Sequence, residues 1–383
     1  MGKPMLLQTP VRPATVLPRT SPEHSVPLFW PLVAATMFGN EMLADMQRAL
    51  DYVAAVGLIE HPASPEWASA NRIRLDIDTM RLREFSAGGP GIVPVLIIAP
   101  FAGHSSTIAD YERGHSLVET MLTYGAHHVL VTDWKPATAE MRDFDIDTYL
   151  ASLKVAIDEL GGTVHLVGLC QGGWLGAMYA ARFPGKVRSL VLAGAPIDTD
   201  AGDGPIRQLA HSLPLSTFQN MVEIGNGLMP GSFMLAGWKS MHPVEQYANK
   251  YLALYQNIED KNYVRRTAKF EGWYENANDL PGAYYLQVIE QLFKENRFAR
   301  GEFVGMGRRL ALADIKVPLF LLGGEQDDIT TSEQVFRAAA LVGTPPEKIV
   351  QKLVPGGHIG LFMGTQTLRI VWPGLTDWIL KNP

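Results

Sequence analysis

Cysteine is nearly absent from this chain. Of its 383 residues only Cys170 is one, so no internal disulfide can form, which suits a reducing compartment. Excess charge is scarce as well. A net charge of −6, with 19% charged residues, offers no basic face for nucleic acid or an anionic membrane, and no nucleic-acid partner is expected. Long hydrophobic runs are also missing. The apolar stretch from Pro27 to Phe38 is too short to cross a bilayer, so no transmembrane segment is expected. Met1 to Pro27 is rich in proline and polar residues and lacks an apolar core followed by a small-residue cleavage site, so no secretory signal is expected and the cytoplasm is the expected location. What is present is a hydrophobic fraction of 47%, enough for a sizeable core.

Residues 1–26 read as an arm. Leu32, Met37, Leu43, Met46, Leu50 and Val53 then recur at roughly helical spacing, predicting one or two helices within an N-terminal region of residues 1–71. Arg72 to Phe85 alternates apolar and charged positions, as a solvent-facing hairpin would. Short continuous apolar runs follow at Val93–Ala99, His128–Thr132, Val164–Leu169, Val187–Ala193, Val317–Leu322 and Ile349–Val354, as expected of strands buried on both faces. Helical patterns lie between most of them, at Tyr149–Leu160, Trp174–Phe183 and Glu333–Leu341, with Thr365–Leu380 at the end. This alternation predicts an α/β fold with a mostly parallel sheet and helices on both faces. The rhythm stops between Asp198 and Asp314, a stretch without a clear buried strand and rich in Met, Trp, Tyr and Asn. The expected division is a core of residues 72–198 and 314–383, with 199–313 inserted as a helical cap over the strand ends.

The strand pattern at Val164–Leu169 runs straight into Gly168-Leu169-Cys170-Gln171-Gly172, and a helical pattern follows. Strand, Gly-x-Cys-x-Gly and helix together form the nucleophile elbow of the α/β-hydrolase fold, with Cys where Ser is common. Small residues two before and two after the nucleophile let strand and helix pack closely. The helix start favours a thiolate, and the backbone N–H of Gln171 can meet a developing oxyanion. In this fold the acid and then the histidine follow the nucleophile along the chain. Asp327, in Gly323-Gly324-Glu325-Gln326-Asp327-Asp328, is the expected acid, with adjacent Asp328 as the alternative. His358, in Pro355-Gly356-Gly357-His358, is the expected base.

The loop Ala99-Pro100-Phe101-Ala102-Gly103-His104 follows the first buried strand and is expected to supply a second oxyanion N–H, from Phe101 or Ala102. His104 either touches substrate or caps the segment after it. Trp174, Trp273 and Tyr274 are further candidates for substrate contact, the last two lining an apolar tunnel or forming the core of the cap. His127 and His128 have no third ligand at metal spacing, so neither a zinc site nor a cofactor is expected.

These residues carry a family resemblance. Gly-Leu-Cys-Gln-Gly-Gly, the strand end Thr132-Asp133-Trp134, the Trp273–Pro281 stretch, the Asp327 loop and Gly357-His358-Ile359-Gly360 together resemble the polyhydroxyalkanoate synthase and intracellular polyhydroxybutyrate depolymerase superfamily. The likeness runs from about residue 90 to the C-terminus and more weakly into the helices before it. It implies a Cys170–Asp327–His358 triad and an acyl-cysteine intermediate.

The two branches of that superfamily diverge at the second step. Synthases pass a hydroxyacyl group from coenzyme A to a growing chain, whereas depolymerases let water or another thiol resolve the acyl-enzyme. The segments Ala99–Thr107 and Phe144–Tyr149 look depolymerase-like, and the asparagine-lysine-tyrosine-tyrosine element typical of synthases is missing. Gln171-Gly172-Gly173 lies nearer to synthases. The leading expectation is an intracellular thiol esterase hydrolysing poly- or oligo(3-hydroxyalkanoate). A synthase-like acyltransferase using 3-hydroxyacyl-coenzyme A is the alternative, and a non-catalytic granule-associated binding protein the alternative of another class. The partner expectations are a polyester or hydroxyacyl ester substrate, polyhydroxyalkanoate granules and a homodimer.

Overall fold

The computed structural model describes residues 42–89 and 91–382. The expected arm over residues 1–26, and Leu32 and Met37, lie outside these residues. Helix α1, Met42–Glu60, forms where periodicity placed it, but its buried face runs through Ala49, Ala55 and Ile59, while Met46 and Leu50 are exposed. The cause is local. Ala55 and Ile59 pack on Leu254 and Ile258, a small cluster apart from the main core, and this sets which face of α1 is buried.

Eight strands form the central sheet: β1 Arg72–Asp76, β2 Met80–Glu84, β3 Val95–Ile98, β4 Val129–Trp134, β5 Val164–Leu169, β6 Val187–Ala193, β7 Leu319–Gly324 and β8 Ile349–Val354. Their order across the sheet is β1-β2-β4-β3-β5-β6-β7-β8. β3 pairs in parallel with β4 and β5, and β5 through β8 pair in parallel in sequence. β2 joins β1 and β4 antiparallel. This order and handedness of pairing is the α/β-hydrolase fold.

The central apolar runs became strands with both faces covered, every residue of β3, β5 and β7 being buried, whereas β8, expected to be buried on both faces, is the edge of the sheet and leaves Gln351, Lys352 and Leu353 exposed. The expectation of a solvent-facing hairpin holds only for β1. β2 turns Met80, Leu82 and Glu84 inward and is fully part of the sheet. Buried Glu84 is satisfied by Arg72 on β1 and by His128, whose Nε2 lies 2.9 Å from its carboxylate.

Helices α2 Leu117–Thr123, α3 Ile146–Glu159 and α4 Gln171–Arg182 connect the strands. Asp145 caps α3 by accepting from the N–H of Thr148 at 3.0 Å. Between β6 and β7 the chain forms α5 Pro205–Ser212, α6 Leu215–Ile224, α7 Gly231–Met241, α8 Lys250–Gln256, α9 Lys261–Tyr274 and α10 Gly282–Gln287. Two short ladders absent from the sequence reading also occur here, Leu228–Met229 with Leu280–Pro281 and Val304–Gly305 with Arg308–Arg309. The helix expected over Thr365–Leu380 breaks into Thr365–Ile370 and Trp372–Leu380. Pro373 has no N–H to continue the ladder, and it stands in the first turn of the second helix, where none is needed.

Candidate active site

Parallel strands place the carboxyl ends of β3, β5, β6, β7 and β8 along one edge, and the loops leaving that edge build the site. Cys170 stands between the last residue of β5 and the first of α4 with φ 50° and ψ −120°. That is a strained backbone for a residue with a Cβ. The neighbouring contacts impose it. A Cβ on Gly172 would lie 2.1 Å from the carbonyl oxygen of Ile98, and one on Gly168 would lie 2.3 Å from the Cα of Gly173. The glycines thus let β5, α4 and β3 close on one another, while the Cys170 N–H donates to the Ala193 carbonyl at 2.8 Å. The side chain is lifted to the start of α4, where helix N–H groups lack intrahelical partners and face any negative charge held there.

His358 leaves the glycine-rich loop after β8, and its Nδ1 lies 2.8 Å from Asp327 Oδ2. Both side chains are buried. The other oxygen, Asp327 Oδ1, accepts from the N–H groups of Ile329 and Thr330 at 3.0 and 2.9 Å, so the loop after β7 holds the carboxylate in one orientation. Burial alone would lower the pKa of His358. The sulfur of Cys170, through its charge and as a hydrogen-bond partner, and the Asp327 carboxylate outweigh burial and push it up to about 10. The arrangement therefore favours the imidazolium form of His358. Gly194, at φ 56°, leaves room for this ring, since a Cβ there would lie 3.1 Å from His358 Cε1.

Asp328 does not reach His358. Its carboxylate pairs at 2.7 Å with Nε2 of His242, just past the end of α7, and both side chains are half exposed. Sequence reasoning missed His242, because a histidine between a helix end and Pro243 carries no motif.

A cavity of about 370 Å³ opens over the sulfur. Cys170, Gln171, His358, Ala102, His104, Trp273 and Tyr274 line it. Phe101 does not. Its ring is buried among Tyr149, Tyr284 and Trp134, with centroids 4.7, 5.2 and 5.8 Å away. Among the described residues neither the Phe101 nor the Ala102 N–H has a hydrogen-bond acceptor. Trp174 is corrected as a candidate for substrate contact. It lies in the first turn of α4 on the face turned to the core, buried and stacked on Tyr284 at 6.2 Å, and it lines no part of this cavity.

His104 stacks on Trp273 at 4.7 Å and on Tyr274 at 5.2 Å. Burial lowers its pKa to about 4, against a backbone hydrogen bond with Tyr274 and the charge of Glu275. The Trp273 and Tyr274 rings lie 6.4 Å apart, and both wall the cavity.

The family model described as PHB de-polymerase C-terminus matches residues 194–383. The poly(3-hydroxyalkanoate) polymerase subunit PhaC of Haloferax mediterranei is 28% identical over 296 residues, 76% of this chain and 59% of that protein. The chain resembles the polyhydroxyalkanoate synthase and depolymerase superfamily. PhaC of Allochromatium vinosum is 24% identical over 299 residues, covering 76% of this chain and 82% of its own. The chain spans 59% and 60% of the length of the first two curated relatives it matches. Among solved structures, an epoxide hydrolase of Bacillus megaterium is 15% identical, with a TM-score of 0.49 over 80% of this chain and 99% of that one. Among the described residues no helix is long and apolar enough to cross a membrane.

Proposed function

We propose that this protein is an acyltransferase that carries a 3-hydroxyacyl group on Cys170 and passes it from a thioester to a hydroxyl acceptor, as a polyhydroxyalkanoate polymerase does. The thiolate attacks the thioester carbonyl while His358 stands protonated beside it. The oxyanion is met by the N–H of Gln171 and that of Phe101 or Ala102. The carbon–sulfur bond to the donor breaks, and its thiol departs with a proton from His358. His358, now neutral and oriented by Asp327, takes the proton of the incoming hydroxyl. The hydroxyl oxygen attacks the acyl-cysteine, and Cys170 leaves again as thiolate. The insertion of residues 199–313 acts in this reading as a cap that keeps water from the acyl-enzyme.

One observation carries transfer over hydrolysis: the relatives aligned over about three quarters of the chain bear polymerase names. This reverses the order of the sequence reading, in which hydrolysis led. Hydrolysis is kept as a second reading because the family model matching 194–383 bears a depolymerase description. The test pairs two incubations, one with 3-hydroxyacyl-coenzyme A and one with amorphous polyhydroxybutyrate. Coenzyme A released together with ester product is the expected result. Soluble acid from the polymer, with coenzyme A retained, would reverse the assignment.

A further inference from the structure

A second cavity, of about 260 Å³, adjoins the first beneath α5, α6 and α7. Gln171, Ile206, Trp238, Met241 and Phe293 line both. Because Gln171 follows the nucleophile, the second chamber begins one residue from the sulfur. The two differ in chemistry. The first holds Cys170, His358, His242 and Asp328. The second is walled by Leu213, Phe218 and four methionines, Met221, Met229, Met234 and Met241, with polar atoms brought only by Gln171, Trp238, Ser240 and two tyrosines among the lining residues.

We propose that this chamber receives the aliphatic side chain of the acyl group, so that the preferred substrates are medium-chain 3-hydroxyacyl compounds rather than the four-carbon one. The inference rests on the reading of Cys170 as the acyl carrier. The chamber's volume of about 260 Å³ is far more than the methyl group of a hydroxybutyryl unit fills. The lining is mostly apolar, which suits an aliphatic chain better than the amides of the donor's pantetheine arm. Thioether side chains are flexible and polarizable, and they mould to an unbranched chain of varying length. Lys294 holds the α5–α6 turn in place, donating to the Leu213 carbonyl at 2.6 Å with its ammonium over the Phe218 ring, so the wall does not collapse inward. Each methylene buried there is worth about fourfold in affinity.

Two measurements on the full chain test this. In the first, Cys170→Ala protein is titrated calorimetrically with 3-hydroxydecanoate and with 3-hydroxybutyrate. The ten-carbon acid is expected to bind at least about a hundredfold tighter. Leu213→Trp, filling the chamber, should cut that ratio at least about tenfold. Gly237→Phe should do the same from another wall, where an added Cβ meets nothing within 4 Å, so the fold is not at stake. In the second, the native chain is mixed with the two corresponding coenzyme A thioesters and the mass of the Cys170 adduct is read. Equal affinities for the two acids, or a ratio unmoved by both filling variants, overturn the chamber assignment even if Cys170 is acylated. A ten-carbon preference that both variants erase, with no acylation by either thioester, upholds the chamber and overturns the acyl-transfer reading instead. An effect of Leu213→Trp on elongation with the four-carbon donor alone would mean that the product chain occupies the chamber, and would also overturn the assignment.

Discussion

The loops at the sheet edge and the helices between β6 and β7 meet at one cavity but are built on opposite terms. In the loops the three groups of the Cys170, Asp327 and His358 set are each held in place. Cys170 is held by a strained turn, Asp327 by two backbone N–H groups and His358 by Asp327. In the helical segment polar atoms at the cavity stay unsatisfied, among them Trp238 Nε1 and Gln246 Oε1. The ladder slips into π-helical geometry at Glu245–Asn249 and Val288–Lys294, and Ile224, Val244, Tyr247 and Leu252 remain exposed. Pre-organised charge is the requirement of a reacting centre, since its groups must not reorganise as charge develops. Adaptable apolar surface is the requirement of a wall that accepts a chain.

Substitutions should separate the two regions. The largest effect is expected at the nucleophile. Cys170→Ala should lower acyl-transfer turnover at least about a thousandfold with thermal stability nearly unchanged, and a residual rate above one per cent would remove covalent catalysis from the scheme. Next comes the pair of adjacent acids. Asp327→Asn should cost at least about a hundredfold in kcat, because the imidazolium loses its partner, whereas Asp328→Asn, which frees only His242, should cost less than about tenfold. Equal losses would erase the distinction drawn between the two carboxylates.

Smaller, and felt in stability, is Gly172→Ala. A methyl group 2.1 Å from the Ile98 carbonyl oxygen forces β3 and α4 apart, for a loss of about 2 kcal/mol by chemical denaturation. The same change at Gly237 should be neutral or slightly stabilising, since space is open there and alanine favours helix.

The smallest effect tests the junction between the regions. His104 belongs to the β3 loop but stacks on α9. Folded, it stays neutral down to about pH 4, while the unfolded chain takes up the proton from about pH 6.5. Stability should therefore fall as pH drops through that window and be level with respect to this group above it. His104→Phe should remove that part of the slope, as read from urea midpoints between pH 4 and 7.

The site was more legible than its enclosure. Cys170 and Asp327 each follow a buried apolar strand within a few residues, and His358 follows an apolar run that forms the edge strand β8, so apolar runs and glycine spacing marked all three in the sequence. The cavity walls have no such anchor. Trp174 sits in the first turn of a helix that begins at Gln171, three residues before the expected start, and nothing local says that its ring turns to Tyr284 and away from the cavity. His242 reaches Asp328 across many residues of chain, and no pattern at either end announces the other.

By itself, then, the sequence determined which segments become strands and helices, where the turns fall, and which residue types stand at the carboxyl edge of the sheet. Backbone propensity, burial period and the need for glycine at close approach are all written within a few residues. Only the tertiary structure decided that Asp327 faces the histidine while Asp328 faces the helices, that Ala102 lines the cavity while Phe101 supports it, and that a methionine-lined chamber opens beside Gln171. Each of these depends on which distant side chains arrive at the same place, and that is set by packing the whole chain at once.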